Sequence, residues 1–173
     1  MRSNKRYSNV TFSKRVDHDA GRHRSQGSSS EPAKCSGCGA VYVDRRWSPA
    51  GVHTKAGKHK HWQPQTVTLC PACKEKQSGV PAGFVYVSGD FLSSHRQEIE
   101  LLLAKEAERS AVDNPLAQII ELKTDESEGL VASTTTEHLA QRLGHALEKA
   151  FKGEVRYDFS HENKLARVYW HRD

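Results

Sequence analysis

Four cysteines carry the clearest chemistry in this chain, and they come as two pairs. Cys35-Ser36-Gly37-Cys38 is followed by Gly39, and after 31 intervening residues comes Cys70-Pro71-Ala72-Cys73. Two C-x-x-C pairs supply four thiolates, the number a tetrahedral structural zinc takes. The gap exceeds the common spacing of about 15–20 residues. Each pair is nevertheless built locally, so the intervening loop can bulge outward. Gly37 and Gly39 suit the first tight turn, because glycine reaches backbone angles other residues avoid. Pro71 stiffens the second. The pattern predicts one structural zinc on Cys35, Cys38, Cys70 and Cys73, held in a zinc ribbon. Two disulfides, a redox C-x-x-C couple and an iron–sulfur cluster are the competing uses of these thiols. A redox site needs only one pair, and disulfides need an oxidising compartment, of which the sequence gives no sign.

The remaining elements fall around this stretch. Residues 1–32 read as a disordered basic tail, with too few apolar residues to offset the cost of ordering. Residues 33–89 read as the ribbon, with strands over Ala40–Val43 and Thr66–Leu69 leading out of and into the cysteine pairs. A short apolar strand, Phe84–Val87, closes that region. Residues 90–173 read as a small α+β domain in the order α-β-β-α-β-β. Its first helix starts near Asp90 or at Ser94 and stops at Asn114-Pro115. Its second is capped by Thr134 with Glu137 and carries Leu139, Leu143, Ala146, Leu147, Ala150 and Phe151 as its apolar stripe. Gly144 suits close packing on a sheet. Glu154–Ser160 and Leu165–His171 alternate as a hairpin. The expected product is a four-stranded antiparallel sheet with helices on one face.

Charge divides the chain. Residues 1–89 carry fifteen Lys/Arg and five Asp/Glu, a net +10, while residues 90–173 carry eleven and sixteen, a net −5. A concentrated positive half is the footprint of a polyanion binder. The tail offers Arg15, Arg22 and Arg24. The loop between the cysteine pairs offers Arg45, Arg46, Trp47, Lys55, Lys58, Lys60 and Trp62. Cations can meet phosphates there while the tryptophan rings stack on unpaired bases; alternatively, Trp47 and Trp62 cover the ribbon's small core. Two further basic surfaces are a helix stripe (Arg142, His145, Lys149, Lys152) and a strand face (Arg156, Arg167, Tyr169, His171). The mean hydropathy of −0.74 and the lack of a long apolar run predict no membrane span. No secretory signal is legible either, so a cytoplasmic location is expected.

Several strings together resemble a family of short bacterial zinc-ribbon proteins: Cys35-Ser-Gly-Cys38-Gly-Ala-Val-Tyr42, Arg46-Trp47, Leu69-Cys70-Pro-Ala-Cys73, Pro81-Ala-Gly83, Gly89-Asp-Phe-Leu92, His95-Arg-Gln-Glu-Ile99, Gly129-Leu-Val131, Thr134–Ala140 and Gly153. The resemblance covers about residues 33–171. That family is distantly similar to the N-terminal part of the large-ribosomal-subunit export adapter of eukaryotes and archaea. The adapter has further cysteine pairs and domains that this chain lacks. The resemblance therefore implies a ribosome or RNA partner, and not export.

No Walker loop, G-x-S-x-G, H-E-x-x-H or dinucleotide glycine pattern occurs, which lowers the enzyme reading. The leading expectation is a non-enzymatic zinc protein that binds the ribosome or ribosomal RNA. An adaptor or transcription regulator is the second: it would use the ribbon on DNA or RNA polymerase and the acidic half on a protein partner. An enzyme with an unrecognised site is the third.

Overall fold

Alternation in the sequence becomes two sheets in a computed structural model, which describes residues 32–43, 45–51, 66–125, 128–160 and 165–173. The first sheet has four short strands in the order β3-β2-β1-β4: β1 (Ala33–Cys35), β2 (Val41–Val43), β3 (Arg46–Ser48) and β4 (Thr66–Thr68). β1 and β2 are antiparallel, as are β2 and β3, whereas β1 and β4 run parallel. Helix α1 (Pro71–Ser78) follows. Its start is set by Pro71, whose missing N–H costs nothing at a first helical position. Its end is set by Gly79 in the left-handed region at φ 66°.

The second sheet has five strands in the order β6-β7-β5-β9-β8. These are β5 (Gly83–Ser88), β6 (Ile119–Thr124), β7 (Leu130–Thr134), β8 (Glu154–Ser160) and β9 (Leu165–His171). Two helices, α2 (Asp90–Asp113) and α3 (Glu137–Phe151), accompany it. The expected four-stranded antiparallel sheet is thus corrected to a mixed five-stranded one. The fifth strand is β5, which the sequence reading grouped with the cysteine region. It is the central strand, antiparallel to β7 and parallel to β9. A short apolar run flanked by Gly and Pro is legible as a strand, but its neighbours in a sheet are not.

The core packs one face of this sheet against the helices. Val85, Val87, Leu130, Ala132, Val168 and Trp170 from the strands meet Ile99, Leu103, Leu139, Leu143 and Leu147 from the helices, all fully or almost fully buried. Gly144 lets α3 sit close: a Cβ there would stand 2.5 Å from Val168 Cγ1. The Trp170 indole N–H donates to the Lys152 carbonyl at 2.7 Å, so this buried polar group is satisfied.

One helix cap departs from expectation. The N-cap of α3 is Thr136, whose hydroxyl accepts from the Leu139 N–H. Thr134 instead turns inward and donates to the Thr136 carbonyl. In α2 both expected starts have a physical basis: the helix begins at Asp90, and His95 breaks its regular geometry at φ −122°, ψ 18°, one residue past Ser94.

Candidate metal centre

Two different local structures bring the cysteines together. Cys35, at the end of β1, opens a tight turn in which the Gly39 N–H donates to the Cys35 carbonyl and the Cys35 N–H donates to that of Ala40. Gly39 takes φ 74° there. Gly37 must be bare for another reason: a Cβ on it would lie 2.9 Å from Cys73 Sγ. The second pair does not sit on a matching hairpin turn, as a ribbon would have it. Cys70 is the N-cap of α1 and Cys73 lies in its first turn. A helix N-terminus favours negative charge, but at both sulfurs burial outweighs it and disfavours the thiolate.

All four Sγ atoms lie within 4.8 Å of one another, and Cys38 Sγ to Cys70 Sγ is 3.6 Å. Sulfurs placed tetrahedrally about 2.3 Å from one ion stand about 3.8 Å apart, so the set fits a four-thiolate metal site. Cys35, Cys70 and Cys73 are buried and Cys38 is exposed, and all four are free thiols. Backbone N–H groups point at the buried sulfurs. Gly37 and Cys70 donate to Cys35 Sγ at 3.4 and 3.2 Å, and Cys73 donates to Cys70 Sγ at 3.4 Å.

Charge at the cluster is correspondingly divided. Burial opposes ionisation of Cys35, but the N–H groups of Cys70, Cys38 and Gly37 outweigh it and bring the thiol down to about 6. Burial pushes Cys73 up to about 11, a rise the hydrogen bond with Cys70 only partly offsets. Burial also pushes Cys70 up strongly, with the neighbouring thiols adding to it. Four thiolates cannot crowd together without a cation; a bound dication reverses that balance and holds all four deprotonated.

Trp47 and Leu69 pack on the cysteine cluster, and so does Leu116 from the loop after α2. Trp47 also tilts against Tyr42, with ring centroids 5.3 Å apart. It is therefore half-buried cover for the small core. Arg45 and Arg46 are exposed at the β2–β3 turn, with Arg45 at φ 61°. Arg15, Arg22, Arg24, Lys55, Lys58, Lys60 and Trp62 lie outside the described residues.

Elsewhere, the expected helix stripe is partly committed. Arg142 binds Glu106 of α2 at 3.3 Å, and His145 Nδ1 meets the Tyr157 hydroxyl at 3.0 Å. The strand face is as the alternation predicts, with Ala166, Val168 and Trp170 buried. One hydrogen-bonded chain was not visible in the sequence: Ser88 Oγ to His171 Nδ1 at 3.1 Å, and His171 Nε2 to Asp173 Oδ1 at 3.2 Å. Ser88 and Asp173 are 85 positions apart, and only the parallel pairing of β5 with β9 brings them together. His171 is 52 % and Asp173 75 % exposed on their side chains, so water competes for both bonds. The described helices include none long and apolar enough to cross a membrane. Comparisons with family models, curated proteins and solved structures returned no match.

Proposed function

We propose that this protein is a non-enzymatic, zinc-stabilised RNA-binding protein that docks on the ribosome or ribosomal RNA. The observation that carries the reading is the hairpin of β2 and β3. Its Trp47 is pinned to the cysteine cluster, while Arg45 and Arg46 stand exposed at its turn. A metal on Cys35, Cys38, Cys70 and Cys73 would thereby fix a basic surface in place. Zinc is the preferred ion, because four thiolates at tetrahedral spacing suit it and its role here is structural. The fold in this reading is a four-cysteine ribbon-like unit joined to a domain in which β5 precedes the α-β-β-α-β-β order. Location in the cytoplasm, where thiols stay reduced, goes with it.

Sedimentation with ribosomes and separated subunits through sucrose tests the proposal. Stoichiometric binding to one subunit at near-physiological salt is expected, with loss in a Cys35→Ala, Cys38→Ala variant. Binding seen only at low salt would reduce the basic half to a generic polyanion patch. Metal analysis well below one zinc per reduced chain would refute the zinc assignment.

A second reading, a protein-interaction adaptor, draws on α2. Leu101 and Val112 are 59 % and 70 % exposed on it, in the acidic half of the chain, and exposed apolar side chains of that kind suit a protein contact. High affinity for duplex DNA or RNA polymerase, with none for ribosomes, would move this reading to first place.

A further inference from the structure

Helix α2 has two faces of different use. One packs on β5 and α3 and buries Leu92, Ile99, Leu103 and Ser110. At about 100° per residue, Leu101, Lys105, Glu108 and Val112 fall on the opposite side, and all four are exposed. They succeed one another at intervals of four, three and four residues, so they form one stripe along the axis. The stripe lies wholly beyond His95, in the regular part of the helix. Its apolar ends stand about 16 Å apart at 1.5 Å per residue.

The order along this stripe is apolar, cation, anion, apolar. Turned end for end it becomes apolar, anion, cation, apolar. Two copies laid antiparallel therefore complement each other at every level. Leu101 meets Val112 of the second copy, Lys105 meets Glu108 of the second copy, and the two-fold axis repeats both contacts. A parallel pair would instead set Lys105 against its own equivalent and Glu108 against its own, which disfavours that arrangement. Ala104 and Ala111 border the stripe, and side chains this short let two helices approach closely.

The charges here are also uncommitted. Among the described residues neither Lys105 nor Glu108 forms an ion pair within the chain, whereas the adjacent Glu106 and Arg109 are paired with each other. One cation balanced by one anion makes the stripe a poor match for a strongly charged partner such as RNA or a basic segment. It suits a surface with the same balance.

We propose that the outward face of α2 is the contact surface of an antiparallel homodimer. The inference shares α2 with the adaptor reading above, names a second copy of this chain as the partner, and is independent of the RNA reading. Leu101 and Val112 supply the attraction by leaving water. The Lys105–Glu108 pairs fix direction and register more than they add affinity. Four side chains from each copy make a contact below the standard size of about 1,200–2,000 Å². The dimer is accordingly a reversible one with micromolar dissociation.

Sedimentation equilibrium of the full chain under reducing conditions, from micromolar to submillimolar concentration, tests this. A reversible monomer–dimer equilibrium is expected. A Leu101→Ser, Val112→Ser variant is expected to dimerise at least about 10-fold more weakly. Lys105→Glu alone and Glu108→Lys alone should each weaken the dimer, because each turns both central pairs into like charges. Mixing those two variants should restore association as a heterodimer, a result that damage to the fold does not produce. Circular dichroism checks that each variant is folded, and all four positions are exposed. A wild-type chain that stays monomeric throughout would overturn the proposal and leave the adaptor reading with a foreign protein as partner. A dimer untouched by the Leu101→Ser, Val112→Ser change would overturn it by placing the interface elsewhere. Failure of the mixed charge variants to associate would overturn the antiparallel pairing. Ribosome binding is read in a separate experiment, so its outcome and this one are distinguishable.

Discussion

The cysteine region and the sheet region hold themselves together by different means. The first clusters Cys35, Ala40, Cys70, Ala72 and Cys73, with Trp47, Leu69 and Leu116 as partial cover, and buries besides only Ala33, Val41 and Val43 among its described residues. The second buries fifteen residues, most of them Leu, Ile, Val and Trp. Burial of apolar area scales with such side chains, so the sheet region can stand on its core. The cysteine region cannot, and its strands of three residues each add little. The difference teaches where the free energy can come from: an ion held by the four thiols in one case, packing in the other.

Metal removal is the most forceful way to test that contrast. Chelation, or Cys70→Ala, should cost the cysteine region on the order of 10 kcal/mol. Hydrogen exchange should then show residues 33–48 and 66–78 unprotected while β5, β7 and β9 keep their protection. Loss of protection in both regions together would show one cooperative unit. Next in size is Trp170→Ala, expected to cost about 3–5 kcal/mol in thermal unfolding while any metal bound per chain stays unchanged. A fall in bound metal would mean that the two cores are coupled, with Leu116 the obvious link.

Gly144→Ala sharpens the packing side of the comparison. The added methyl meets Val168 Cγ1, and overpacking of this kind costs about 1–3 kcal/mol; differential scanning calorimetry should show one lowered transition. The smallest effect concerns Glu106. Its carboxylate bonds Arg109 and Arg142, tying α2 to α3. Burial works against its charge, but the two arginines outweigh it and hold the carboxyl below its ordinary value of 4.5. The contribution is therefore complete above that value and lost as pH falls below it. Glu106→Gln should lower stability at pH 7 by about 1 kcal/mol, because Arg109 is largely exposed and water screens it. The variant should also flatten the loss of stability as pH falls below 4.5, read by chemical denaturation.

Much of this is legible in the sequence alone. The four cysteines needed only their spacing, because each pair is local. β9 was read at its full extent, since Leu165–His171 alternates without interruption. The second C-x-x-C was misplaced for a physical reason: Cys-Pro-Ala-Cys is as good a helix start as a turn, and the Lys and Glu that follow favour helix. β5 was seen as a strand but given the wrong neighbours, because register between strands 83 positions apart leaves no local trace. Trp47 was left open between base stacking and core, and its packing on the cysteines settles its inner face alone. The hydrogen-bonded chain from Ser88 to Asp173 depends wholly on that same long-range pairing.

The placement of β5 also bears on how the protein is made. Gly83 pairs with Ala166, 83 residues later. At about 5–20 residues per second on the ribosome, roughly 4–16 s separate the emergence of the two partners. All four cysteines and α1 have emerged by Ser78, with only the Leu116 cover still to come, so an ion could be captured within that interval. β5 meanwhile waits with one edge unpaired and α2 without its sheet. Such an edge is a template for other strands. The nascent chain thus passes through a stage in which its cysteine-bearing end has emerged and its central strand is open to misassociation. Chaperone dependence should track this delay, because slow closure of non-local pairs sets the folding time of such sheets.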